Sequence, residues 1–426
     1  KFERGKFIDI NRLNHIIEIN IFKQYILVEP NVPMDKLVDE TLRHHLVPPV
    51  VMELPGITVG GRIQGGAGES SSFKYGLFHD TCLEYEIVLG NGELLTASPT
   101  KNKDLFHGTA CSYGTLGIIT LVKMSLVPAK DYVQLTYHTV SNYTEAIKLI
   151  EKQVGEAVQF VDGIIFSKNC GIIMVGNFSD KSELPISTFK NRRDEWFYLH
   201  ANKISKRYKR YDEIIPIKDY LFRYDKGAFW LGYYFFKFYK IPFLKIFRFV
   251  LDGILNTRLL IRLAHSTNMT QQYFVQDLSV PKENTLMFLN FVNEQLDIYP
   301  LWLCPLRPSK KDELSPSCLK TDLVINVGVW GETSYKYSDF VKKNRDVEDK
   351  VMELRGRKAL YAHAYYPRDK FWEIYDYSWY NALRNKYFSN KVFPNIYDKV
   401  KVEEKYQPSV IIGLWNALRS GKIPIS

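Results

Sequence analysis

The chain has 426 residues, enough for one large domain or two, and its hydrophobic and charged fractions of 46% and 24% are those of an ordinary globular protein. It contains no run of about 18 uncharged apolar residues, which excludes a convincing membrane-spanning helix, and no signal peptide is visible. The chain begins at Lys1 rather than Met, so we expect any targeting or anchoring segment to lie upstream.

The net charge of +10 is unevenly distributed along the chain. Residues 186–265 contain 17 Lys and Arg against seven Asp and Glu, whereas the rest of the chain is near neutral. The five cysteines are odd in number and scattered, without a CxxC or a His-containing spacing. This pattern predicts reduced thiols, no disulfide framework and no metal site.

The sequence pattern of the first 130 residues predicts alternating strands and helices. Residues 16–28 are typical of two strands, Pro33 opens a helix that ends near Leu42, and Gly90-Asn91-Gly92 predicts a hairpin. A short helical turn at 104–107 and a β-branched strand at 116–127 follow.

From Asp131 onward, the order strand, helix, strand, strand over residues 132–175 is typical of a split α/β sandwich. After the basic stretch, strands are predicted at 299–304, 323–329 and 360–366, and helices at 340–354 and 371–386. We therefore predict an α+β chain of two domains, residues 1–130 and 131–426, with the basic aromatic insertion at 186–265 inside the second.

Five glycines fall within nine residues between Gly60 and Gly68, and Ser70, Ser71 and Ser72 follow. Because glycine disfavours helices and strands, we expect a loop here. Free N–H groups and serine hydroxyls in such a loop suit a pyrophosphate or the polar edge of a flavin. The segment is neither the GxGxxG fingerprint, since Ser71 replaces the third glycine, nor a P-loop, and a flexible surface loop is the alternative.

The order of several short motifs is more specific than any one of them. They are Leu54-Pro55-Gly56, Thr58-Val59-Gly60-Gly61, Gly65-Gly66-Ala67-Gly68, Lys74-Tyr75-Gly76, Val88 to Gly92, Asp104-Leu105-Phe106 and Gly114 to Ile119. This order resembles the FAD-binding domain of the vanillyl-alcohol-oxidase/PCMH flavoproteins. A closer resemblance, to the delta(24)-sterol reductases, is carried by Glu69 to Phe78, Val275-Gln276-Asp277, Tyr299 to Pro305 and Leu360-Tyr361-Ala362.

The resemblance implies a PCMH-type FAD-binding domain followed by an α/β substrate (cap) domain. The superfamily's other phosphate loop belongs to an N-terminal subdomain that precedes Lys1, so this subdomain is incomplete here. Tyr75 stands where a linking histidine would precede Gly76, so we expect non-covalent FAD. The residues implied to contact FAD are Thr58, Val59, Gly60, Gly61, Gly65, Gly66, Gly68, Ser70, Ser71, Tyr75, Gly76, Gly114, Gly117 and Ile118.

The resemblance also implies a reaction in which NADPH reduces FAD, and reduced FAD passes a hydride to the sterol side-chain double bond. A protein acid must then supply a proton. Tyr361 is the first candidate, with a structural hydroxyl bond as the alternative, and Glu69 is the second, with a salt bridge to Lys74 or Arg62 as the alternative. His363 is the third, because residues i and i+2 of a strand share a face, and a structural histidine is its alternative.

The aromatic and basic residues between Phe222 and Phe249 allow three interpretations. They are a membrane-surface element, a buried helix pair with lysines reaching solvent, and, least favoured, a nucleic-acid site.

We expect a sterol substrate, a membrane surface and no nucleic acid as partners, and a location on the cytosolic face of the endoplasmic reticulum membrane. The alternatives are an FAD-dependent oxidase or dehydrogenase of an alcohol or sugar acid, and an inactive sterol- or membrane-binding homologue.

Overall fold

The computed structural model describes residues 8–260, 273–332, 336–361 and 364–402. These residues form an α+β fold built on three antiparallel sheets of five, eight and two strands. The strands are β1 (Ile16–Asn20), β2 (Tyr25–Val28), β3 (Leu46–Val47), β4 (Cys82–Val88), β5 (Leu94–Ala97), β6 (Ile118–Ser125), β7 (Val127–Pro128), β8 (Tyr132–Val140), β9 (Phe160–Ser167), β10 (Cys170–Ser179), β11 (Arg210–Pro216), β12 (Tyr273–Pro281), β13 (Leu301–Leu306), β14 (Val324–Glu332) and β15 (Arg357–Lys358).

Helices surround these sheets. They are α1 (Met34–Leu42), α2 (Val59–Gly65), α3 (Ser72–Tyr75), α4 (Lys103–Thr109), α5 (Tyr143–Val154), α6 (Phe197–Ser205), α7 (Ile217–Leu221), α8 (Leu231–Phe238), α9 (Lys245–Val250), α10 (Lys282–Gln295), α11 (Tyr337–Glu353), α12 (Arg368–Ile374), α13 (Tyr377–Lys386) and α14 (Ile396–Val400). Short 3₁₀ turns lie at Phe78–Thr81 and Asp252–Ile254. Among the described residues, no helix is long and apolar enough to cross a bilayer.

The five-stranded sheet has the order β1-β2-β6-β4-β5. The predicted strands within 16–28, the helix after Pro33 and the hairpin are confirmed. Gly92 takes a φ of +85° at the tip of that hairpin, a conformation that a side chain would disfavour. The sheet packs its apolar face onto α1 and α2, so the glycine-rich segment lies directly on this core.

The eight-stranded sheet has the order β11-β8-β10-β9-β13-β14-β12-β15. One face packs against α5, α10 and α11, through a core that includes Ile150, Leu289 and Val351. The other face is covered by aromatic residues of the basic stretch, such as Phe229 and Trp230. The basic stretch also contributes strand β11, which pairs with β8.

Two sequence-based expectations in the last section are wrong. Residues 360–366 are not a strand where the structure describes them: in this part of the chain only Arg357 and Lys358 of β15 pair with β12, and Leu360 and Tyr361 lie in a turn. The chain leaves the sheet edge because Lys358 forms a buried ion pair with Glu348, and the Tyr361 hydroxyl donates to Asp277. The predicted helix at 371–386 is two helices, because Asp376 caps α13 by accepting from the Trp379 N–H at 2.9 Å.

A buried ion pair lies beneath the aromatic cover of the large sheet. Arg223 Nη2 lies 3.0 Å from Asp162 Oδ2, and both side chains are buried. The same carboxylate oxygen accepts from the Tyr224 hydroxyl at 2.8 Å and from Trp302 Nε1 at 3.1 Å. These bonds link β9, β13 and the basic stretch, so the charged pair fixes how the aromatic cover is placed.

Replacing Arg223 by Gln should destabilise the protein by about 3–5 kcal/mol, because it leaves the Asp162 carboxylate buried without a counter-charge. The exposed pair Lys130–Asp180 supplies the matched control, and Lys130→Gln should lower the free energy of unfolding by less than about 1 kcal/mol. Urea unfolding monitored by tryptophan fluorescence measures both. Equal losses for the two variants would contradict the structural role given to the buried pair.

Candidate active site

The first part of the glycine-rich segment, Val59–Gly65, forms helix α2, so the expected loop is wrong there and is confirmed only for residues 66–71. Thr58 caps α2 by accepting from the Gly61 N–H at 3.3 Å, and Gly66 ends the helix with a φ of +70°. Val59 and Ile63 are buried in the core beneath it. Capping and burial together outweigh the helix penalty of glycine, about 1 kcal/mol per residue.

The glycines of α2 have different surroundings. A Cβ at Gly60 would lie 2.7 Å from Pro30 Cβ, so Gly60 is required by packing. A Cβ at Gly65 would meet nothing within 4 Å, so the backbone there faces open space. Gly65 is therefore the position at which a ligand can approach this helix most closely.

Glu69 to Ser72 form a tightly bonded buried turn. The Glu69 carboxylate accepts from the Ser71 N–H at 2.9 Å and from the Ser70 hydroxyl at 2.7 Å. The Ser71 hydroxyl donates to the Pro49 carbonyl at 2.7 Å, so the serine hydroxyls are directed to protein acceptors. Burial raises the pKa of Glu69, and the positive charge of the nearby Arg223 partly offsets this rise.

Lys74 and Tyr75 are not partners of Glu69. Lys74 Nζ and the Tyr75 hydroxyl both donate to Gln159 Oε1, at 3.1 and 3.2 Å. Gly76, which follows, has a φ of +83°, and a Cβ there would collide with the Asp80 carboxylate. Glycine is therefore needed at this position for backbone reasons as well as for space.

The segment from Ser112 to Ile118 lies beside α2. Gln64 Oε1 accepts from the Gly114 N–H at 2.7 Å and from the Ser112 hydroxyl at 2.8 Å, while the Tyr113 hydroxyl donates to the Gly65 carbonyl at 3.2 Å. A Cβ at Gly117 would lie 2.6 Å from Ile87 Cγ2, so this glycine serves packing against β4. The two glycine segments predicted from sequence thus meet at the end of α2.

Two charged side chains near α2 were not singled out from the sequence as site residues. Nε and Nη2 of Arg62 are buried and have no hydrogen-bond partner among the described residues. The same is true of both carboxylate oxygens of Glu53. Burial lowers the pKa of Arg62 to about 9, and burial together with the Glu69 carboxylate raises that of Glu53 well above its usual range.

These residues fit a flavin dinucleotide. The unpartnered guanidinium nitrogens of Arg62 can donate to its anionic or carbonyl oxygens, and the open backbone at Gly65 lets its ring or pyrophosphate come close. Sequence alone gave no signal for Arg62, because a basic residue inside a glycine run is equally typical of an exposed position.

Electrostatic interaction with Tyr361 raises the pKa of Arg62, against the larger effect of burial. Tyr361 is 52% exposed, although its hydroxyl donates to Oδ2 of the buried Asp277. Asn326 Nδ2 donates to the other oxygen of Asp277 at 3.0 Å. Burial raises the pKa of Asp277 to about 6, against the effect of the Tyr361 bond, and desolvation of the hydroxyl raises the pKa of Tyr361.

The structure thus places Tyr361 with a carboxylate rather than with a backbone carbonyl. Glu69 lies apart from this pair, in the serine turn, and His363 lies outside the described residues. From the sequence, Asp277 was recognised only as part of the motif Val275-Gln276-Asp277. Its partnership with Tyr361 could not be read there, because the two residues are 84 positions apart.

In a comparison with known proteins, residues 2–98 match the FAD binding domain family, which places the chain among proteins with an FAD-binding domain. The human delta(24)-sterol reductase is 33% identical over 93% of this chain and 77% of its own length. The Arabidopsis thaliana delta(24)-sterol reductase is 28% identical, over 95% of this chain and 78% of its own length. The chain belongs to the delta(24)-sterol reductase family, and its FAD-binding fold agrees with the resemblance seen in its motifs.

Gly65→Ala should lower the flavin content of the protein without destabilising the fold. The added methyl group meets no protein atom within 4 Å, and alanine favours a helix over glycine by about 1 kcal/mol. Flavin absorbance per protein and the thermal midpoint measured after flavin removal check the two halves of this expectation.

Gly155→Ala is the matched control, because a Cβ there would make only ordinary contacts, with the Lys152 carbonyl oxygen at 3.5 Å. It should leave flavin content unchanged. Full flavin occupancy in Gly65→Ala would show that the cofactor does not approach α2 at this glycine.

Proposed function

We propose that this chain reduces the delta(24) double bond of a sterol side chain, with bound FAD as the hydride donor and NADPH as the reductant. Its family membership supports the substrate class and the cofactor. The observation that carries the site assignment is the Tyr361–Asp277 pair. Tyr361 is 52% exposed and interacts electrostatically with Arg62, whose Nε and Nη2 have no hydrogen-bond partner among the described residues.

Bound FAD supplies the hydride in this chemistry, since an isolated carbon–carbon double bond has no activating group of its own. Arg62 would hold a polar edge of the cofactor through Nε and Nη2, which lack protein partners. The carbon that does not receive the hydride must receive a proton at nearly the same time, because an alkyl cation is costly in an apolar pocket. The protein must therefore hold an acid against that carbon.

Tyr361 and Asp277 together provide this acid. Tyr361 alone is a weak acid because its pKa lies above the usual value near 10, whereas Asp277 has a pKa of about 6 and is partly protonated near neutrality. The protonated carboxyl donates to the tyrosine oxygen as the tyrosine proton moves to the sterol carbon. Asp277 is left as a carboxylate and recovers its proton from solvent.

We assign Glu69 to positioning rather than to proton transfer. Both of its oxygens already accept hydrogen bonds from the serine turn. The turn in turn contacts Tyr220 through the Ser70 hydroxyl, at 3.1 Å. Substitution of Glu69 would therefore displace the residues that follow α2, rather than remove a proton donor.

Product analysis tests the activity. The flavin-loaded protein should convert desmosterol to cholesterol when NADPH is supplied without oxygen. Peroxide release that depends on an alcohol or sugar acid, with no sterol product, would identify the chain as an oxidase instead. A protein that binds sterol yet neither retains flavin nor turns over would indicate an inactive binding homologue.

Tyr361→Phe should slow oxidation of the reduced flavin by desmosterol by about 100-fold, because it removes the proton that reaches the sterol. Reduction of the flavin by NADPH needs no such proton and should keep its rate. Stopped-flow absorbance of the flavin, in separate anaerobic mixing experiments with NADPH and with the sterol, measures the two half-reactions.

The pH profile separates a proton donor from a merely structural tyrosine. The sterol half-reaction of the wild-type protein should slow as pH rises through about 6, because Asp277 loses its proton there. Asp277→Asn should be slow at every pH, without that inflection. A pH-independent rate in the wild-type protein, or equal slowing of both half-reactions in Tyr361→Phe, would contradict the assignment.

A membrane surface is the second part of the proposal, and helix α9 supports it. The residues from Leu244 to Val250 expose large apolar side chains: Ile246 is 60% and Val250 63% exposed. Lys240 precedes these residues and Lys245 lies among them, both exposed, whereas Arg248 stacks on Phe243 at 5.0 Å, which ties the helix to the protein. Exposed apolar residues interleaved with lysines are typical of a segment that lies on an anionic bilayer.

The rest of the aromatic stretch has a different role. Trp196, Phe229, Trp230 and Phe236 are buried against the large sheet, as in the interpretation of a buried helix pair. The membrane interpretation therefore narrows to α9 and the residues that precede it. Contact with the cytosolic face of the endoplasmic reticulum membrane would give the enzyme both a membrane-dissolved sterol and cytosolic NADPH.

Ile246→Ser combined with Val250→Ser should reduce flotation of the protein with anionic liposomes, because it removes apolar area that would enter the headgroup region. Leu94→Ser is the matched control, since Leu94 is similarly exposed but lies on the hairpin of the small sheet. Flotation that is equal in all three proteins, and unaffected by Lys240→Glu and Lys245→Glu, would remove α9 as the membrane contact.

A further inference from the structure

Four titratable side chains from three separate segments meet beside the flavin-binding part of the fold. His79 and Asp80 lie in the 3₁₀ turn Phe78–Thr81, His107 lies in α4, and Asp312 lies in the connection between β13 and β14. No step of the proposed reaction uses these residues. Their closeness follows from the fold alone, since Asp312 is more than 200 positions from His79 in the chain.

Three ligand atoms in this cluster converge on one point. His79 Nε2 lies 3.7 Å from Asp312 Oδ2 and 3.9 Å from Asp80 Oδ2, and one donor atom from each residue falls within 4.8 Å of the others. These separations are too long for hydrogen bonds. Ligands that share one ion at 2.0–2.2 Å stand about 3–4 Å apart. Both distances from His79 Nε2 lie in that range, and the two carboxylates lie within 4.8 Å of each other.

His79 is the observation that distinguishes this cluster from a chance group of acids. Its side chain is only 2% exposed, and Nε2 has no hydrogen-bond partner among the described residues although it is directed at two carboxylates. A buried polar nitrogen without a partner costs free energy, and a bound cation would recover it. On the other side of the ring, Nδ1 lies 3.8 Å from Cys111 Sγ, which orients the imidazole.

The surrounding bonds hold the carboxylates in place. The Leu77 N–H donates to Asp80 Oδ2 at 2.7 Å, and the Ser309 hydroxyl donates to Asp312 Oδ2 at 2.7 Å. His107 Nδ1 lies 2.8 Å from Asp312 Oδ1. Metal ligands in proteins are typically supported by such outer hydrogen bonds, which fix their orientation.

We propose that His79, Asp80 and Asp312 bind one divalent transition-metal ion, with His107 as an outer partner of Asp312. One imidazole nitrogen and two carboxylate oxygens are a ligand set that suits Zn²⁺ or Mn²⁺, and water completes the coordination. The site is structural: it joins the turn after α3 to the 309–318 connection. It does not depend on the sterol reaction.

The place of the site gives the ion a specific effect. Gly66, at the end of α2, packs against Cys111 and Pro316, so the connection that carries Asp312 also supports the glycine helix. An ion that holds Asp312 to His79 would therefore stabilise the wall behind the flavin. Loss of the ion should loosen flavin binding without touching a residue of the reaction.

Zinc binding to the full-length, flavin-loaded protein tests this directly. After treatment with a chelator and its removal, the wild-type protein should bind one equivalent of Zn²⁺ by calorimetry, and its thermal midpoint should rise with Zn²⁺ concentration. His79→Gln and Asp312→Asn should each weaken binding by at least about 100-fold, since loss of even an outer partner weakens metal sites by 10–100-fold. Zinc-edge X-ray absorption should show nitrogen and oxygen ligands without sulfur.

His200→Gln is the matched control, because His200, on helix α6, also pairs at 3.0 Å with a buried carboxylate, that of Glu213 on strand β11, far along the chain from the cluster. It should leave zinc binding unchanged. No stoichiometric binding by the wild-type protein, or binding that survives in both His79→Gln and Asp312→Asn, would overturn the proposal and leave a protonated His79 paired with two carboxylates. If a variant fails to fold, the wild-type stoichiometry and absorption spectrum still decide.

Discussion

The position of the Glu69–Ser72 turn is the constraint on which the rest of the site depends. The Ser70 carbonyl accepts from the Val161 N–H on β9 at 2.7 Å, and the Ser72 carbonyl accepts from the Arg307 N–H after β13 at 2.9 Å. The turn belongs to the flavin-binding part, yet its backbone is bonded to the large sheet. These bonds tie the segment after α2 to the large sheet, and strand β12 of that sheet carries Asp277 of the proposed proton donor.

The second feature of the site is buried charge without ordinary partners. Glu53 and Arg62 lie within the protein with polar atoms unsatisfied, and Asp277 is held at a raised pKa. Such groups cost stability in the protein alone. Such groups are enriched where a ligand or a reaction uses them, and here Arg62 shares α2 with the open backbone at Gly65, while Asp277 accepts from the half-exposed Tyr361.

Much of the fold could be predicted from local sequence, because its signals are local. Alternating apolar residues marked β8, Gly90-Asn91-Gly92 marked the hairpin, and the ordered glycine motifs indicated the flavoprotein class. The prediction failed where tertiary contacts override propensity. The first part of the glycine run, Val59–Gly65, is a helix because Thr58 caps it and Val59 is buried. The strand expected at 360–366 was replaced by a turn at Leu360 and Tyr361, where Tyr361 bonds to Asp277.

The site was predicted less completely, for a related reason. Tyr361 could be chosen from a motif, but the interactions of Tyr361 with Asp277 and with Arg62, on which their proposed roles rest, form only in the folded chain. The cluster of His79, Asp80 and Asp312 gave no signal in the sequence, because metal sites were sought there by close spacing along the chain. Residues contributed by a turn and a distant connection have no such spacing.

A structure of the flavin-loaded protein with desmosterol bound would test the central claim most directly. We expect the Tyr361 hydroxyl to lie about 3–3.5 Å from a carbon of the side-chain double bond, with that bond between Tyr361 and the flavin ring and the Asp277 contact preserved. A sterol whose double bond lies against another acid, or a Tyr361 separated from the flavin by protein atoms, would contradict it.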